Sequence, residues 1–329
     1  MKPKSKTKNN RKQIVVIGGG TGTYTVLSGL KKYPVSLTAI VTMADDGGST
    51  GQLRDELGVL PPGDVRQCLV ALSRSDLLMR ELMNYRFLRG SLKGHSFGNI
   101  LLSALEKVTG SFDAAVERAS DILRTAGKVI PATLVKTRLV ALLAGGRILH
   151  GEHVVDTGNL KKMLKLELRP KAAVNPKAVR AILDADVIVI GPGNVYSSLV
   201  PNLLVRGLGA AVCKSKAKKV FVCNLMTKAG HTDAWQVEDF VNTIERYLGC
   251  GFDSVIYNKK APSDSLVKKY AQKGERVVRV RGKLPKKYVG ADLVSKTFPM
   301  PRKGDSMKRS FIRHNPDKLA LLIVRQLTI

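Results

Sequence analysis

Two carboxylates stand side by side at Asp45-Asp46, followed at once by Gly47, Gly48, Ser49 and Thr50. Adjacent acids of this kind can hold a ribose hydroxyl, a Mg²⁺ ion or a protonated ring nitrogen. The glycines and hydroxyls behind them suit a phosphate or a sugar. A solvated Asp-Gly turn is the plainer alternative, but it requires less than this. Upstream lies Gly18-Gly19-Gly20-Thr21-Gly22. Such a loop lets the backbone approach a ligand with no Cβ in the way. A helix opening there offers free N–H groups to a phosphate. The spacing is not G-x-G-x-x-G, since Thr23 stands where the last glycine belongs, and no lysine follows as in a Walker A loop. The acidic pair also lies well beyond the ~20-residue offset of a dinucleotide ribose acid, which argues against an ordinary NAD site.

Four further clusters carry chemistry. In Leu60-Pro61-Pro62-Gly63-Asp64-Val65-Arg66, Asp64 is expected to cap the helix that follows. Arg66 then falls in its first turn, where a cation is unfavourable without a partner; an anionic ligand would supply one. Gly94-His95-Ser96-Phe97-Gly98-Asn99 offers His95 as a general acid/base or phosphate donor, although a lone histidine is commonly structural. Gly191-Pro192-Gly193-Asn194, with Ser197 and Ser198 close behind, repeats the pattern of an apolar run, a glycine loop and a hydroxyl-rich helix start. Cys223-Asn224-Leu225-Met226-Thr227 follows another apolar run. Asp46 and His95 are the candidates for catalysis, and Asp45 and Asp46 for a metal.

The elements that must position these residues are legible as short β-branched runs alternating with helical periodicity. Residues 14–17, a helix over 23–32 and a strand over 36–42 make an opening β-α-β unit. Residues 187–190 and 220–223 are further strands, with weaker candidates at 254–257 and 276–280. Helical periodicity covers 64–74, 76–87, 97–108 and 112–123. Residues 129–155 read as a β-hairpin or meander turning at Gly145-Gly146. The expectation is an α/β fold: a doubly wound, mostly parallel, Rossmann-like sheet with a helical and β-hairpin insertion. Residues 13–329 would form one domain, with the insertion at about 55–175, after a basic disordered tail over 1–12. Four of the clusters follow a predicted strand at its C-terminal end. In a parallel sheet those ends share one edge, so motifs spread over the chain converge on one crevice at the switch in strand order.

Composition sets the remaining bounds. The chain has 329 residues, 44% of them hydrophobic, as expected of a folded globular protein. No apolar run approaches the ~20 residues of a membrane-spanning helix, and no signal-peptide core follows the basic N-terminus. A cytoplasmic protein without membrane insertion is expected. Cys68, Cys213, Cys223 and Cys250 are far apart and read as small buried thiols in a reducing compartment. The net charge is +29, with basic stretches at residues 2–12 and 259–313. This favours polyanions in general. Aromatics at 5% are few for a base-stacking surface, so nucleic acid is not the expected partner.

Taken in order, GGGTG, ADDGGSTG, LPPGDVRQCL, GHSFGN, VIPAT, GPGNVYSS and CNLMT resemble the YvcK branch of the CofD/YvcK-like family, from Ile14 to about Leu322. The resemblance implies a core similar to a Mg²⁺-dependent 2-phospho-L-lactate transferase that uses a nucleotide-activated donor. For the YvcK branch it implies a gluconeogenesis factor: a regulator that binds UDP-sugars such as UDP-N-acetylglucosamine and supports cell shape and peptidoglycan precursor supply. By position, Gly19, Gly20, Thr21 and Gly22 would line the nucleotide or acceptor loop. Asp45 and Asp46 match the family's acidic pair. His95 and Asn99 match its Gly-His-x-x-Gly-Asn motif, and Gly191, Gly193 and Asn194 its Gly-Pro loop. Tyr270 and Arg313 would contact the base and phosphates. A protein partner in cell-wall precursor metabolism and a homo-oligomer are expected. Four positions depart from the family pattern: Asn194 for Ser, His231 for Glu, and Thr23-Tyr24 for smaller apolar residues. Asp46→Ala is expected to spare the fold and weaken ligand or metal binding.

Overall fold

The computed structural model describes residues 11–296 and 312–328. Residues 1–10 of the basic N-terminal segment and 297–311 of the second basic stretch lie outside the described residues. The last residue of the N-terminal segment, Lys12, is tied to the body by an ion pair with Asp186 at 2.8 Å.

Strand β1 (Gln13–Gly18) leads into α1 (Gly20–Leu30) and β2 (Ser36–Val41). Five helices follow: α2 (Gly48–Leu57), α3 (Gly63–Leu72), α4 (Leu77–Asn84), α5 (Phe97–Thr109) and α6 (Phe112–Ile122). Then come β3 (Gly127–Pro131), β4 (Arg138–Leu143), β5 (Ile148–His150), α7 (Glu152–Thr157), β6 (Met163–Arg169) and α8 (Pro176–Leu183). After β7 (Val187–Ile190), a π-helical turn at Val195–Leu199 precedes α9 (Val200–Leu203), α10 (Leu208–Lys214) and β8 (Lys218–Val222). The chain closes with α11 (Val237–Leu248), β9 (Ser254–Asn258), α12 (Asp264–Ala271), β10 (Tyr288–Ala291) and α13 (Pro316–Arg325).

Seven strands form one parallel sheet in the order β10-β9-β8-β7-β1-β2-β3. The order reverses between β1 and β7, where Ile14 pairs with Val187 on one side and with Leu37 on the other. This is a doubly wound α/β fold. Helices cover both faces, so the buried runs at the centre of the sheet, Ile14–Ile17 in β1 and Val187–Ile190 in β7, are apolar throughout. Ile14 and Val16 face the layer of Val26, Leu69 and Leu319, while Val15 and Ile17 face that of Leu199, Phe221 and Phe240. Burial of each such side chain contributes about 1.5–3 kcal/mol. Helix starts are written in the sequence: Ser96 accepts from Asn99 N–H, Ser111 from Ala114 N–H, and Asn175 from Lys177 N–H ahead of Pro176.

A separate antiparallel sheet, β5-β4-β6, stands beside the main one. The hairpin expected over 129–155 is therefore divided. Its first residues, in β3, pair in parallel with β2 in the main sheet, and only β4 and β5 form the hairpin. The strand expected at 276–280 is a single bridge between Val277 and Met226, because its backbone bonds go to the Leu225–Thr227 loop. The sheet edge is taken instead by β10, whose Tyr-Val-Gly-Ala run gives no strand signal. The cysteines also differ from the expectation of four thiols. Cys213 and Cys250 are disulfide-bonded, joining α10 to the loop after α11, while Cys68 and Cys223 are free and buried. Proximity decided this pairing, since the two are 37 residues apart in sequence.

Candidate functional site

The loops that leave β1, β2, β7 and β8 meet above the switch in strand order and line a cavity of about 1170 Å³. The loop after β1 enters α1 with Gly19 at its N-cap and Gly20 at φ +62°, a conformation that favours glycine. A Cβ at Gly22 would overlap the Pro192 carbonyl, so the loops after β1 and β7 can pack only because this residue is glycine. Thr23, one of the departures, is fully buried, and its hydroxyl donates to Gly19 O at 3.3 Å. It shapes the loop from beneath.

The acidic pair does not act together. Asp45 lines the cavity and accepts from Gly47 N–H at 3.0 Å. Asp46 turns away: its Oδ1 accepts from His153 N–H at 2.9 Å, and its Oδ2 lies 3.6 Å from Arg138. The second carboxylate of the cavity is Asp64. It does not cap α3, whose N-cap is Pro62 with no side-chain cap. It reaches across instead to accept from Gly20 N–H. Burial first, and then the Asp45 charge, push the Asp64 carboxyl up to about 7. Burial likewise raises Asp45.

Helix α7, carried by the small sheet, adds acids that motif reading did not single out. Glu152 lines the cavity, and burial, followed by the charges of Asp45, Asp156 and Asp64, pushes it up to about 9. At neutral pH it holds its proton and is a hydrogen-bond donor. Asp156 is the opposite case. Burial opposes its charge, but Lys228 at 2.6 Å and Ser197 at 2.5 Å hold it below the usual carboxylate range, and Asn194 Nδ2 also donates to it at 2.6 Å. Asn194, a departure from the family pattern, thus earns its place as a donor to Asp156.

The remaining expected residues divide. Gly47, Gly48, Ser49, Asn99, Gly193, Asn194, Asn224, Tyr270 and Arg313 all line the cavity with Gly19, Gly20, Thr21 and Gly22. Asn224 Nδ2 donates to Gly193 O at 2.9 Å and ties the loop after β8 to the loop after β7. The Tyr270 hydroxyl accepts from Ile312 N–H at 3.3 Å. Gly191 supports its loop from below at φ +80° and is not on the wall. His95 is buried behind the wall, with Nδ1 3.1 Å from Ser49 Oγ, so it positions Ser49 and does not face the crevice. Arg66, buried in α3, donates to Asn99 Oδ1 at 2.9 Å and Asn84 Oδ1 at 2.7 Å. It also lines the cavity, where these neutral amides fix it and its charge acts on Asp45 and Asp64. His231 lies outside the crevice, with Nε2 3.0 Å from Gly158 O. Its replacement of an acid therefore leaves the cavity charge unchanged, and Lys228 is the residue of that loop which enters. Lys228, Lys269 and Lys273 were missed, because isolated lysines in a basic chain carry no signal.

The cavity thus joins a helix N-terminus, cations and carboxyls, with Lys228 and Asp156 paired at 2.6 Å within it. Such a site can bind a phosphorylated polar ligand and orient its hydroxyls. Among the described residues no group of three or more His, Cys, Asp or Glu could hold a metal ion. Asp45 and Asp64 alone fit a Mg²⁺ that takes its other ligands from water and phosphate.

Residues 14–298 match the family described as 2-phospho-L-lactate transferase CofD. The chain belongs to the CofD family. Within it, similarity runs to proteins named as gluconeogenesis factors. The chain is 39% identical over 315 residues to the gluconeogenesis factor of Bacillus subtilis, covering 95% of this chain and 97% of that one. It is 43% identical over 324 residues to a putative gluconeogenesis factor of Nostoc, covering 95% and 68%. A solved structure of a UPF0052-family protein from Bacillus halodurans superposes with a TM-score of 0.86 at 38% identity, covering 95% and 99%. No helix among the described residues is long and apolar enough to cross a membrane.

Proposed function

We propose that this protein binds a nucleotide-sugar of the UDP-N-acetylglucosamine type in the crevice and acts as a cytoplasmic regulator. In that role it links gluconeogenic carbon supply to cell-wall precursor synthesis and cell shape through a protein partner. The observation that carries the binding reading is the mixed lining of the crevice, which offers donors for phosphate together with carboxyls and amides for hydroxyls. The α1 N-terminus and Lys228, Lys269, Lys273 and Arg313 suit a diphosphate, while Asp156, Glu152 and Asn194 suit sugar hydroxyls. Tyr270 offers a ring for the base. The names of the relatives support the metabolic setting.

A transferase acting on a phosphate-linked group is the second reading, favoured by one observation. Asp45 and Asp64 face the same space and resist carrying two charges there. Bound Mg²⁺ would relieve that repulsion and neutralise charge on a transferring phosphate. In this reading proton transfer falls to Glu152 or Asp64, since His95 does not reach the crevice. Calorimetric titration with UDP-N-acetylglucosamine, UDP-glucose, GDP and NAD, each with and without Mg²⁺, separates the two. Saturable micromolar binding of a UDP-sugar without turnover supports the regulator. Preference for GDP with a Mg²⁺ requirement supports the transferase.

A further inference from the structure

A second cavity, of about 650 Å³, is lined by residues of α11, of the segment entering β6 and of the loop after β8. Its size is that of a small-molecule site. It shares no lining residue with the crevice. Aromatic rings form much of its wall. Tyr196 stands 6.1 Å from Trp235, edge to face, and 6.2 Å from His231. Tyr247 also lines it, with the Arg246 guanidinium 5.8 Å from its ring centre.

Free donors outnumber free acceptors here. The Tyr196 and Tyr247 hydroxyls, Trp235 Nε1 and the Arg246 guanidinium have no hydrogen bond or ion pair among the described residues. Tyr196 is only 7% exposed, so its hydroxyl is a buried donor that the protein leaves unsatisfied. Burial raises both phenols, Tyr196 to about 12, so both keep their protons. The one acid, Asp233, is already held by Lys161 at 3.6 Å and by Gly230 N–H at 3.0 Å. His231 donates from Nε2 to Gly158 O at 3.0 Å, which leaves Nδ1 as an acceptor. Unpaired donors beside Arg246 and Lys161 suit a phosphate. Rings with an apolar face and a polar tip suit a sugar, which has an apolar C–H face and hydroxyl edges.

The cavity is also wired to the crevice. Tyr196 is followed by Ser197, whose hydroxyl donates to Asp156 at 2.5 Å. His231 shares a loop with Lys228, whose N–H donates to the Thr232 hydroxyl at 2.8 Å and whose ammonium pairs with Asp156 at 2.6 Å. Two lining residues of the second cavity thus lead to one carboxylate of the crevice. We propose that the second cavity binds a phosphorylated sugar and that its occupancy sets the affinity of the crevice for nucleotide-sugar, the coupling resting on the function proposed above.

Trp235 is the only tryptophan of the chain, so its fluorescence reports this cavity. Titration with glucose 6-phosphate and with ribose 5-phosphate should give a saturable change with a midpoint below about 1 mM for at least one of them. Arg246→Ala should weaken that binding by at least about tenfold, and Tyr247→Phe, which removes only a hydroxyl, should weaken it several-fold. Glucose and inorganic phosphate by themselves should bind more weakly than the sugar phosphate. No saturable change with either probe, wild-type affinity in both variants, or phosphate binding as tightly as the sugar phosphate overturns the proposal. In calorimetry, saturating sugar phosphate should shift the affinity for UDP-N-acetylglucosamine by about 5–150-fold, and the reciprocal shift should be equal. Competition without limit would place both ligands in the crevice, and no shift would remove the coupling; either result overturns it. The fluorescence titration needs no crevice ligand, so a failure of UDP-sugar binding strikes the function proposed above and leaves the test of this cavity in force.

Discussion

At the residue scale, the site turns on which carboxylates face the ligand. Asp46 ties α7 to the second loop through His153 N–H and Arg138, whereas Asp64 enters the crevice. Asp46→Ala should therefore lower stability by about 1–2 kcal/mol, as the loss of a charged hydrogen bond does. Asp64→Asn should keep or raise stability and abolish any effect of Mg²⁺ on ligand affinity. Thermal melts and calorimetry with and without Mg²⁺ check both. A melting temperature unchanged in Asp46→Ala would return that residue to the binding surface. Glu152 gives a pH dependence of known sign. Its carboxyl titrates near 9 when folded and near 4.5 when unfolded. Between those values the folded state keeps a proton that the unfolded state has released, so stability falls as pH rises through that window. Glu152→Gln removes this loss. Allowing for solvent in the open crevice that this carboxyl lines, the variant should exceed wild type by on the order of 1–2 kcal/mol at pH 8.5 and match it near pH 4.5. Urea denaturation at the two pH values measures it, and equal stabilities at pH 8.5 would show that Glu152 is ionised there at little cost.

At the element scale, the crevice depends on two loops from adjacent strands lying in contact. Gly22 meets Pro192 O with no room for a methyl group. Gly22→Ala should push the loops after β1 and β7 apart, cost about 1–3 kcal/mol and weaken nucleotide-sugar binding at least tenfold. Unchanged affinity in calorimetry would mean that the ligand sits away from this contact. The small sheet has a comparable role. β4, β5 and β6 expose little surface of functional type themselves, yet they carry α7, and with it Glu152 and Asp156, to the crevice. None of this was visible as a motif, because an acid on a six-residue helix is ordinary until a fold sets it opposite other acids.

At the scale of the whole molecule, a net charge of +29 acts on the compact state as self-repulsion. Raising NaCl from about 50 to 500 mM should screen it and raise the melting temperature by a few degrees. A flat or falling melting temperature would show that the ion pairs of Lys12, Lys177 and Lys318 outweigh the repulsion.

The sequence by itself determined the strands read at 14–17, 36–42, 187–190 and 220–223, since runs buried on both sheet faces are largely apolar. It also determined the loops after them, since glycine is needed where backbone approaches backbone. From those two features the crevice and its place at the strand switch were legible, and most of its glycine, amide and hydroxyl lining with them. Tertiary structure alone decided which way each side chain faces. Adjacent Asp45 and Asp46 diverge because successive loop residues point to different neighbours, and Asp64, nineteen positions beyond Asp45, returns to its side. Only packing could bring Lys228 to Asp156, bury His95 behind Ser49, join Cys213 to Cys250 and hold the Glu152 proton, because each rests on a distance between segments that the order of residues does not contain.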